Sequence, residues 1–271
     1  MPITGYSNTI SVTTVGLLDL YPNAAAAYSV RQLRNAYSGS AIRVRRSSDN
    51  AEQDIGFVSG NLDTSSLTSF CGAGNGFVTT WYDQSGNGNN ATQSTAANQP
   101  QIVSGGSVIK LNNIPVLNFD GINDYLHSNF SNTLTSNLTF LAAFKLLSLP
   151  TAFKNIYGNA SDLITTYLTN NNIWNLYNGN ALTSGITAQT IPYLNFTTFK
   201  PTSAELYMNN TLFTSGAMPS PSTNNLDIAS AINGTSRAIN VSYYELILYN
   251  SDQTTNRSGL QNNINTYYGI Y

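Results

Sequence analysis

The feature that most constrains the fold is a run of short segments beyond Ile102 in which apolar and polar residues alternate. Alternation with a period of two places successive side chains on opposite faces of a β-strand. The dipeptides Asp120-Gly121 and Asn209-Asn210 interrupt this pattern, and such residues favour tight turns. The pattern predicts an all-β chain folded as an antiparallel two-sheet sandwich. The predicted strands are 107–111, 115–119, 124–127, 137–147, 162–168, 173–177, 193–200, 204–213, 226–231 and 239–250.

Three short helices are predicted at the periphery of this sandwich. Residues 26–37 carry apolar residues at helical spacing. Residues 63–71 begin at Asp63, a favourable N-cap residue. Residues 253–267 form the third segment, for which Asp252 is the predicted cap.

The length and the charge content narrow the class of protein. The 271 residues fit one large sandwich domain at 25–271, preceded by an arm or edge strand at 1–24. Charged residues make up only 9% of the chain, against roughly 25% in typical soluble domains. The net charge of -2 argues against nucleic acid as a partner, since that needs clustered Lys and Arg. No apolar run approaches the ~18 residues of a membrane helix, and the N-terminus lacks the regions of a signal peptide.

The segment 80–93, Thr-Trp-Tyr-Asp-Gln-Ser-Gly-Asn-Gly-Asn-Asn-Ala-Thr-Gln, runs from a strand pattern into a loop rich in Asp, Asn and Gly. Asp and Asn side chains bond nearby backbone, so an ordered loop is expected. Trp81 and Tyr82 at its start suit either of two interpretations, the lip of a sugar site or ordinary core beside a rigid corner. The second is favoured because large aromatic residues are mostly buried.

Several motifs in the first half of the chain occur together and in order. They are Arg-Val-Arg-Arg-Ser-Ser-Asp-Asn at 43–50, Ser-Phe-Cys at 69–71 and Trp-Tyr-Asp-Gln-Ser-Gly-Asn-Gly-Asn at 81–89. This run resembles the N-terminal half of the family 54 α-L-arabinofuranosidase catalytic domain. The remainder resembles the wider concanavalin A-like (laminin-G-like) jelly roll through residues 115–125 and 244–249. The resemblance implies a jelly-roll sandwich with short peripheral helices.

The same resemblance implies where catalytic carboxylates should stand, and glycoside hydrolysis normally needs two of them. The family's nucleophile Glu falls on Gly179 or Asn180, and its acid Asp falls on Asn233 or Gly234. None of these residues ionises as a carboxylic acid. The sequence therefore predicts no catalytic residues and a chain that is not an enzyme.

Two other acids are candidates to replace the missing catalytic carboxylates. Glu205 precedes a second segment that resembles the nucleophile strand, but it alternates with apolar residues and is expected on the opposite, solvated face. Glu245 lies in an apolar strand and is a candidate for a buried acid with a raised pKa. The family's vicinal cysteine pair is also missing, since Cys71 is the only cysteine.

The case for a metal or cofactor is weak. Asp83, Asp120 and Asp124 are oxygen ligands in loops, and calcium near Asp120 and Asp124 is one interpretation. A turn-forming role is favoured, since Asp-Gly turns are common. His127 is the only histidine, which leaves little basis for a zinc site or a Ser-His-Asp triad. No metal site and no cofactor are therefore predicted.

A surviving sugar site is predicted to be shallow and lined by aromatic and amide side chains. The residues proposed as ligand-binding are Trp174, Tyr177, Asn178 and Asn180. Such side chains stack on sugar rings and bond hydroxyl groups without charge.

The function expected from these arguments is a non-catalytic phage virion surface or structural protein, such as a capsid decoration, head fibre or tail component. The alternatives are a carbohydrate-binding module and an active α-L-arabinofuranosidase-like hydrolase. The expected partners are other virion proteins, a host surface glycan and further copies of the chain, without nucleic acid or membrane. The expected location is the virion surface, after synthesis in the bacterial cytoplasm without a signal peptide.

Overall fold

The computed structural model describes residues 15–159, 161, 164–231 and 237–271. The described part is mostly antiparallel β-structure, which confirms the predicted fold class. The helices are α1 Leu17–Leu20, α2 Thr64–Cys71 and α3 Arg257–Tyr268. The strands are β1 Ala24–Ser29, β2 Ile42–Arg46, β3 Glu52–Ile55, β4 Phe57–Val58, β5 Asn61–Leu62, β6 Gly76–Trp81, β7 Ala91–Thr92, β8 Gln101–Ser104, β9 Ser107–Val108, β10 Lys110–Leu111, β11 Ile114–Pro115, β12 Leu117–Asp120, β13 Leu126–Thr135, β14 Leu138–Leu146, β15 Lys154–Gly158, β16 Thr165–Leu168, β17 Ile173–Tyr177, β18 Ala181–Thr187, β19 Pro192–Phe199, β20 Ser203–Met208, β21 Thr211–Ala217, β22 Ser222–Ile228 and β23 Asn240–Tyr249.

The strands form two layers. In the first sheet the order is β21-β20-β19-β14-β23, and both β1 and β12 pair with the free side of β23. In the second sheet the order is β18-β17-β16-β15-β22-β13-β7. Strand β6 connects the layers, because it pairs with β7 of the second sheet and with β8, which pairs with β12.

Aromatic side chains from both sheets fill the space between them. The ring of Phe140 on β14 stacks on that of Tyr157 on β15, with their centroids 4.6 Å apart. Trp174 on β17 packs edge-on against Tyr193 on β19 at 5.0 Å and also contacts Phe144. These rings lose nearly all contact with water, which makes this layer the main hydrophobic core. Trp81, for which the sequence favours a core position, is fully buried, as are Phe119, Leu206, Leu246 and Leu248.

The predicted helix over 26–37 is wrong. Residues 24–29 form strand β1, which pairs with β23 in the register Ala26 to Leu248 and Ser29 to Glu245. All six residues of β1 are buried. Helix propensity is a weak signal that tertiary contacts override, and small alanines fit a strand enclosed on both faces. The predicted arm at 1–24 is also wrong in part, because Leu17–Leu20 is a short helix; residues 1–14 lie outside the described residues.

The other two predicted helices are present. The Asp63 carboxylate accepts a hydrogen bond from the Ser66 backbone N–H at 3.0 Å, as expected of an N-cap. Helix α3 starts later than predicted, at Arg257, after a 3-10 turn over Thr254–Asn256. Asp252, the predicted cap of α3, instead accepts from the Thr254 backbone N–H at 2.9 Å, at the start of that turn. The strand predicted over 204–213 is instead a hairpin, since Asn209 and Asn210 have positive φ and separate β20 from β21.

The loop after β6 is an ordered corner that holds the N-terminal strand. The Asp83 carboxylate accepts hydrogen bonds from the backbone N–H groups of Ala27 and Ser85, both at 2.8 Å. The buried Gln84 side chain bonds the backbone of Leu33 through its oxygen and that of Ser29 through its nitrogen. Backbone N–H and C=O groups in the interior need hydrogen-bond partners. The side chains of Asp83 and Gln84 supply these partners where no neighbouring strand does. The corner interpretation of this loop is confirmed.

Candidate functional site

The outer face of the second sheet is unusually polar. Leu226 and Ile228 of β22 are buried in the core, so Asp227 between them points outward. His127 of β13 lies directly opposite Asp227 in the strand register and shares that face. We call the outward residues of these strands the polar face: His127, Asn129, Asn155, Tyr167, Asn175 and Asp227. Amide, phenol and imidazole groups of this kind bond hydroxyl groups of neutral ligands.

A His–Asp pair lies on the polar face. Nδ1 of His127 lies 2.6 Å from Oδ1 of Asp227, whose side chain is fully buried, whereas the imidazole is 21% exposed. The other ring nitrogen, Nε2, lies 3.1 Å from Oδ1 of Asn129. The hydrogen bond to Asp227 raises the pKa of His127, and the attraction of the Asp227 charge adds to it, against the opposing effect of burial. The imidazolium form donates to both oxygens and is the form this geometry favours.

The exposed edge of His127 opens into a surface pocket of about 460 Å³. Thr92, Gln93, Ser94 and Tyr125 line the pocket together with His127 and Asn129. An aromatic ring and several amides around one proton donor are suited to a neutral polar ligand.

The raised pKa of His127 predicts a pH-dependent contribution to stability. Since the folded-state pKa lies above the unfolded value of about 6.5, the contribution is fully present below that pH and is lost as the pH rises through the folded pKa. His127→Gln should remove this part of the pH dependence of the unfolding free energy. Because His127 is the only histidine, its ring proton resonances report the pKa directly. A pKa at or below that of a free histidine would contradict the pairing.

The predicted ligand-binding residues do not act together. Trp174 is fully buried against Phe144 and Tyr193, so it cannot stack on a sugar, and that part of the prediction is wrong. Asn178 is buried and donates to the Pro219 carbonyl at 2.6 Å. Tyr177 is half-buried at the end of the polar face, and Asn180 is exposed in the next turn. For Tyr177 and Asn180 the assignment stays a prediction.

The positions matched to the family's carboxylates lie at the ends of second-sheet strands. Gly179 is exposed with φ of 77° in the turn between β17 and β18, beside the exposed Asn180. Asn233 and Gly234 lie outside the described residues. The matched turn after β17 therefore carries no acid, and Asp227 is the carboxylate that the described strands place on the polar face.

Glu205 and Glu245, the two other candidate carboxylates, lie away from the polar face. Glu205 is opposite Thr198 on the outer face of the first sheet, on the far side of the sandwich. Glu245 is buried and binds the Arg31 guanidinium in a bidentate pair, with distances of 2.8 and 3.1 Å. Its Oε2 also accepts from Ser29 and Tyr268. Glu245 is a fully bonded structural carboxylate.

The proposed calcium loop is held by its own backbone. Oδ1 of Asp120 accepts from the N–H groups of Ile122 and Asn123, and Oδ2 of Asp124 accepts from that of Asp120. Burial raises the pKa of Asp124 to about 7. The described residues contain no group of three or more His, Cys, Asp or Glu side chains that could hold a metal ion. The absence of a metal or cofactor, with calcium near Asp120 and Asp124 as the alternative, stays a prediction.

Sequence reasoning missed the His–Asp pair. As the only histidine, His127 gives little basis for a metal site or a triad, and no motif surrounds Asp227. The available signal was the position of Asp227 between Leu226 and Ile228, which puts a carboxylate on the face opposite the core. The pairing itself needs the register of strands that are 100 residues apart.

The described strands define an antiparallel sandwich with one polar outer face, and solved structures share this architecture. A GH54 α-L-arabinofuranosidase soaked with a cyclic sulfate inhibitor matches with a TM-score of 0.72 and 19% identity, over 95% of this chain and 66% of that chain. An arabinofuranosidase complexed with arabinofuranosyl-α-1,2-xylobiose matches with a TM-score of 0.71 over the same shares of the two chains. At this identity the likeness shows the fold alone.

Sequence comparison points to the same family. A family model described as Alpha-L-arabinofuranosidase B, catalytic, matches residues 19–116. The alpha-L-arabinofuranosidase B of Aspergillus oryzae is 38% identical over 90 residues, which are 31% of this chain and 18% of that protein. The Hypocrea jecorina alpha-L-arabinofuranosidase is 36% identical over 89 residues, with the same shares. The matched part thus spans less than a fifth of these relatives. The chain resembles the catalytic domain of the family 54 α-L-arabinofuranosidases, as its motifs predicted.

These matches correct the predicted function. The family model describes an α-L-arabinofuranosidase catalytic domain, and the relatives named above are α-L-arabinofuranosidases of fungi, so the expectation of a non-catalytic phage virion protein is wrong. The expectation that the chain is not an enzyme is contradicted on the same ground. The expected partners, virion proteins and a phage host glycan, are wrong for the same reason. The expected location on the virion surface is wrong as well. Among the described residues, no helix has the length and apolar character needed to cross a membrane.

Proposed function

We propose that the chain is a glycoside hydrolase domain that cleaves α-L-arabinofuranosidic bonds, with the sugar bound on the polar face. The family resemblance over residues 19–116 supports the reaction class. The observation that carries the proposal is the pairing of a partly exposed His127 with a buried Asp227 at the edge of a polar sheet face. It supplies a proton donor next to groups that bond neutral hydroxyls.

His127 serves as the general acid in this proposal. Its imidazolium gives a proton to the leaving oxygen as the glycosidic bond breaks, which is the assistance that such bonds require. Asp227 does not reach solvent, so it positions the ring and stabilises its charged form. The proton comes from Nε2, which lies 3.1 Å from Oδ1 of Asn129 in the free chain; the leaving oxygen takes the place of this amide oxygen when the sugar binds.

The attack on the anomeric carbon requires a second group. A water molecule activated by a base, or a carboxylate, fills this role in glycosidases.

The proposal is tested by incubating the purified chain with 4-nitrophenyl α-L-arabinofuranoside and a panel of other aryl glycosides. We expect release of nitrophenol from the arabinofuranoside in preference to the pyranosides. Absence of turnover on every substrate across pH 4 to 9, with the protein folded by circular dichroism, would overturn the proposal.

A further inference from the structure

A second and larger pocket lies on the other side of the sandwich. It has a volume of about 740 Å³ and lies between the chain after β1, the β4–β5 hairpin and helix α3. We call it the amide pocket, and its principal lining residues are Arg31, Gln32, Asn35, Asn61, Asn262 and Tyr267. Pockets of this size take small organic ligands or a few sugar units.

The position of the amide pocket follows from the strand register. Glu245 of β23 lies opposite Ala143 of β14, whose neighbours Ala142 and Phe144 are directed into the core. Glu245 therefore points to the outer face of the first sheet, where Tyr268 of α3 bonds it. The polar face belongs to the second sheet, so the two sites are on opposite sides of the molecule.

The floor of the pocket is polar but carries no net charge. Arg31 is 8% exposed, and its guanidinium is neutralised by the buried carboxylate of Glu245 at 2.8 Å. Its Nη1 also donates to the side-chain oxygen of Asn263 at 2.9 Å. A positive group that is already matched by a buried carboxylate gives little attraction for an anion. This argues against a phosphate or uronate ligand.

The walls present hydrogen-bonding groups beside an aromatic ring. The amides of Asn35 and Asn262 are exposed, and they bond no other group in the described part of the chain. Each amide offers both donors and an acceptor, which matches the hydroxyl groups of a neutral sugar. Tyr267 is held in place by Arg31, whose guanidinium carbon lies 4.8 Å from the ring centroid, and by its hydroxyl bond to Asn61. A ring held in this way is suited to stacking on a sugar.

We propose that the amide pocket is a secondary binding site for a neutral polysaccharide, separate from the polar face. It would hold a distant part of the same polymer, or another chain of it, while the polar face engages the bond to be cleaved. We choose an arabinose-bearing xylan as the polymer because of the proposed function. The preference for a neutral saccharide follows from the lining of the pocket alone.

The test is affinity gel electrophoresis of the full chain through gels that contain soluble arabinoxylan, with binding quantified by the retardation. We expect Asn262→Ala and Tyr267→Ala to weaken binding about tenfold each, a loss of about 1.4 kcal/mol for the missing stacking or amide contact. Tyr271→Ala is the matched control, because Tyr271 is an exposed tyrosine of the same region that does not line the pocket. Turnover of 4-nitrophenyl α-L-arabinofuranoside should not change in any of the three variants.

The outcomes separate this proposal from the proposed function. Retardation that depends on Asn262 and Tyr267 supports the pocket even if no aryl arabinofuranoside is hydrolysed. Unchanged retardation in both variants overturns it, whatever the turnover. A gel with polygalacturonate serves as the anionic probe, and stronger retardation there than in arabinoxylan, lost in Tyr267→Ala, would also overturn it. The Asn262→Ala variant is expected to fold normally, because the Asn262 side chain is exposed. Weaker binding by this variant therefore cannot be assigned to a folding defect.

Discussion

Replacing Arg31 with methionine is expected to lower the free energy of unfolding by about 3–5 kcal/mol, the usual result when one partner of a buried ion pair is removed. Glu245 is 1% exposed and has no access to water that could replace the lost charge. Ser29 and Tyr268 would still donate hydrogen bonds to it, but neither carries a compensating charge. Equilibrium unfolding in urea, followed by circular dichroism, measures the change.

Two further variants make this result interpretable. Arg43→Met removes a salt bridge to Glu52 in which both side chains are more than a third exposed, so a much smaller change is expected. The double variant Arg31→Met with Glu245→Leu should recover much of the loss, because it leaves no unpaired charge in the interior. A loss below about 1 kcal/mol for Arg31→Met would show that Glu245 is solvated or protonated in the folded chain.

Replacing His127 with glutamine is expected to lower the rate of arabinofuranoside cleavage by about 10²–10⁴-fold, the usual contribution of a general acid. Glutamine keeps a polar side chain opposite Asp227 but has no proton to give at neutral pH. Asp227→Asn should lower the rate through the imidazole, because an amide no longer stabilises the imidazolium. The measurement is kcat/KM for 4-nitrophenyl α-L-arabinofuranoside as a function of pH.

The pH profile distinguishes a positioning role for Asp227 from a general loss of folding. If Asp227 acts by raising the pKa of His127, Asp227→Asn should move the alkaline limb of the profile to lower pH. Asp252→Asn is the control, since Asp252 is an acid at the surface that pairs with Lys200 at 3.1 Å, away from the polar face. Equal activity of wild type and His127→Gln would remove His127 from the mechanism.

Local sequence pattern was sufficient where an element depends on its own residues. Asp63 identified the start of α2, and alternation identified β14 and β23, because capping and strand periodicity are local properties. The same reasoning failed at β1, where apolar residues recur at helical spacing although the segment pairs with a strand more than 200 residues away. It also failed for Trp174, since a single sequence does not show which side of the sheet faces the core.

The motifs that carry the family resemblance belong to the scaffold. The side chains of Asp83, Gln84 and Asn89 form hydrogen bonds with the backbone of β1 and of the residues that follow it. The polar face, by contrast, is built mainly from strands beyond residue 116, outside the matched region. For this reason the fold could be predicted from the motifs, whereas the chemistry of the site depended on strand register.

The central place of β23 in the first sheet has a consequence for how the chain reaches its native state. This strand separates β14 from β1 and β12, so residues far apart in sequence meet only through it. Until residues 240–249 have been synthesised, both flanking edges lack their partner. Contacts at such long sequence separation make folding slow, and unpaired edges promote aggregation in the meantime. Productive folding of the first sheet therefore requires β23, and a chain cut before residue 240 would leave the edges of β14 and β1 exposed.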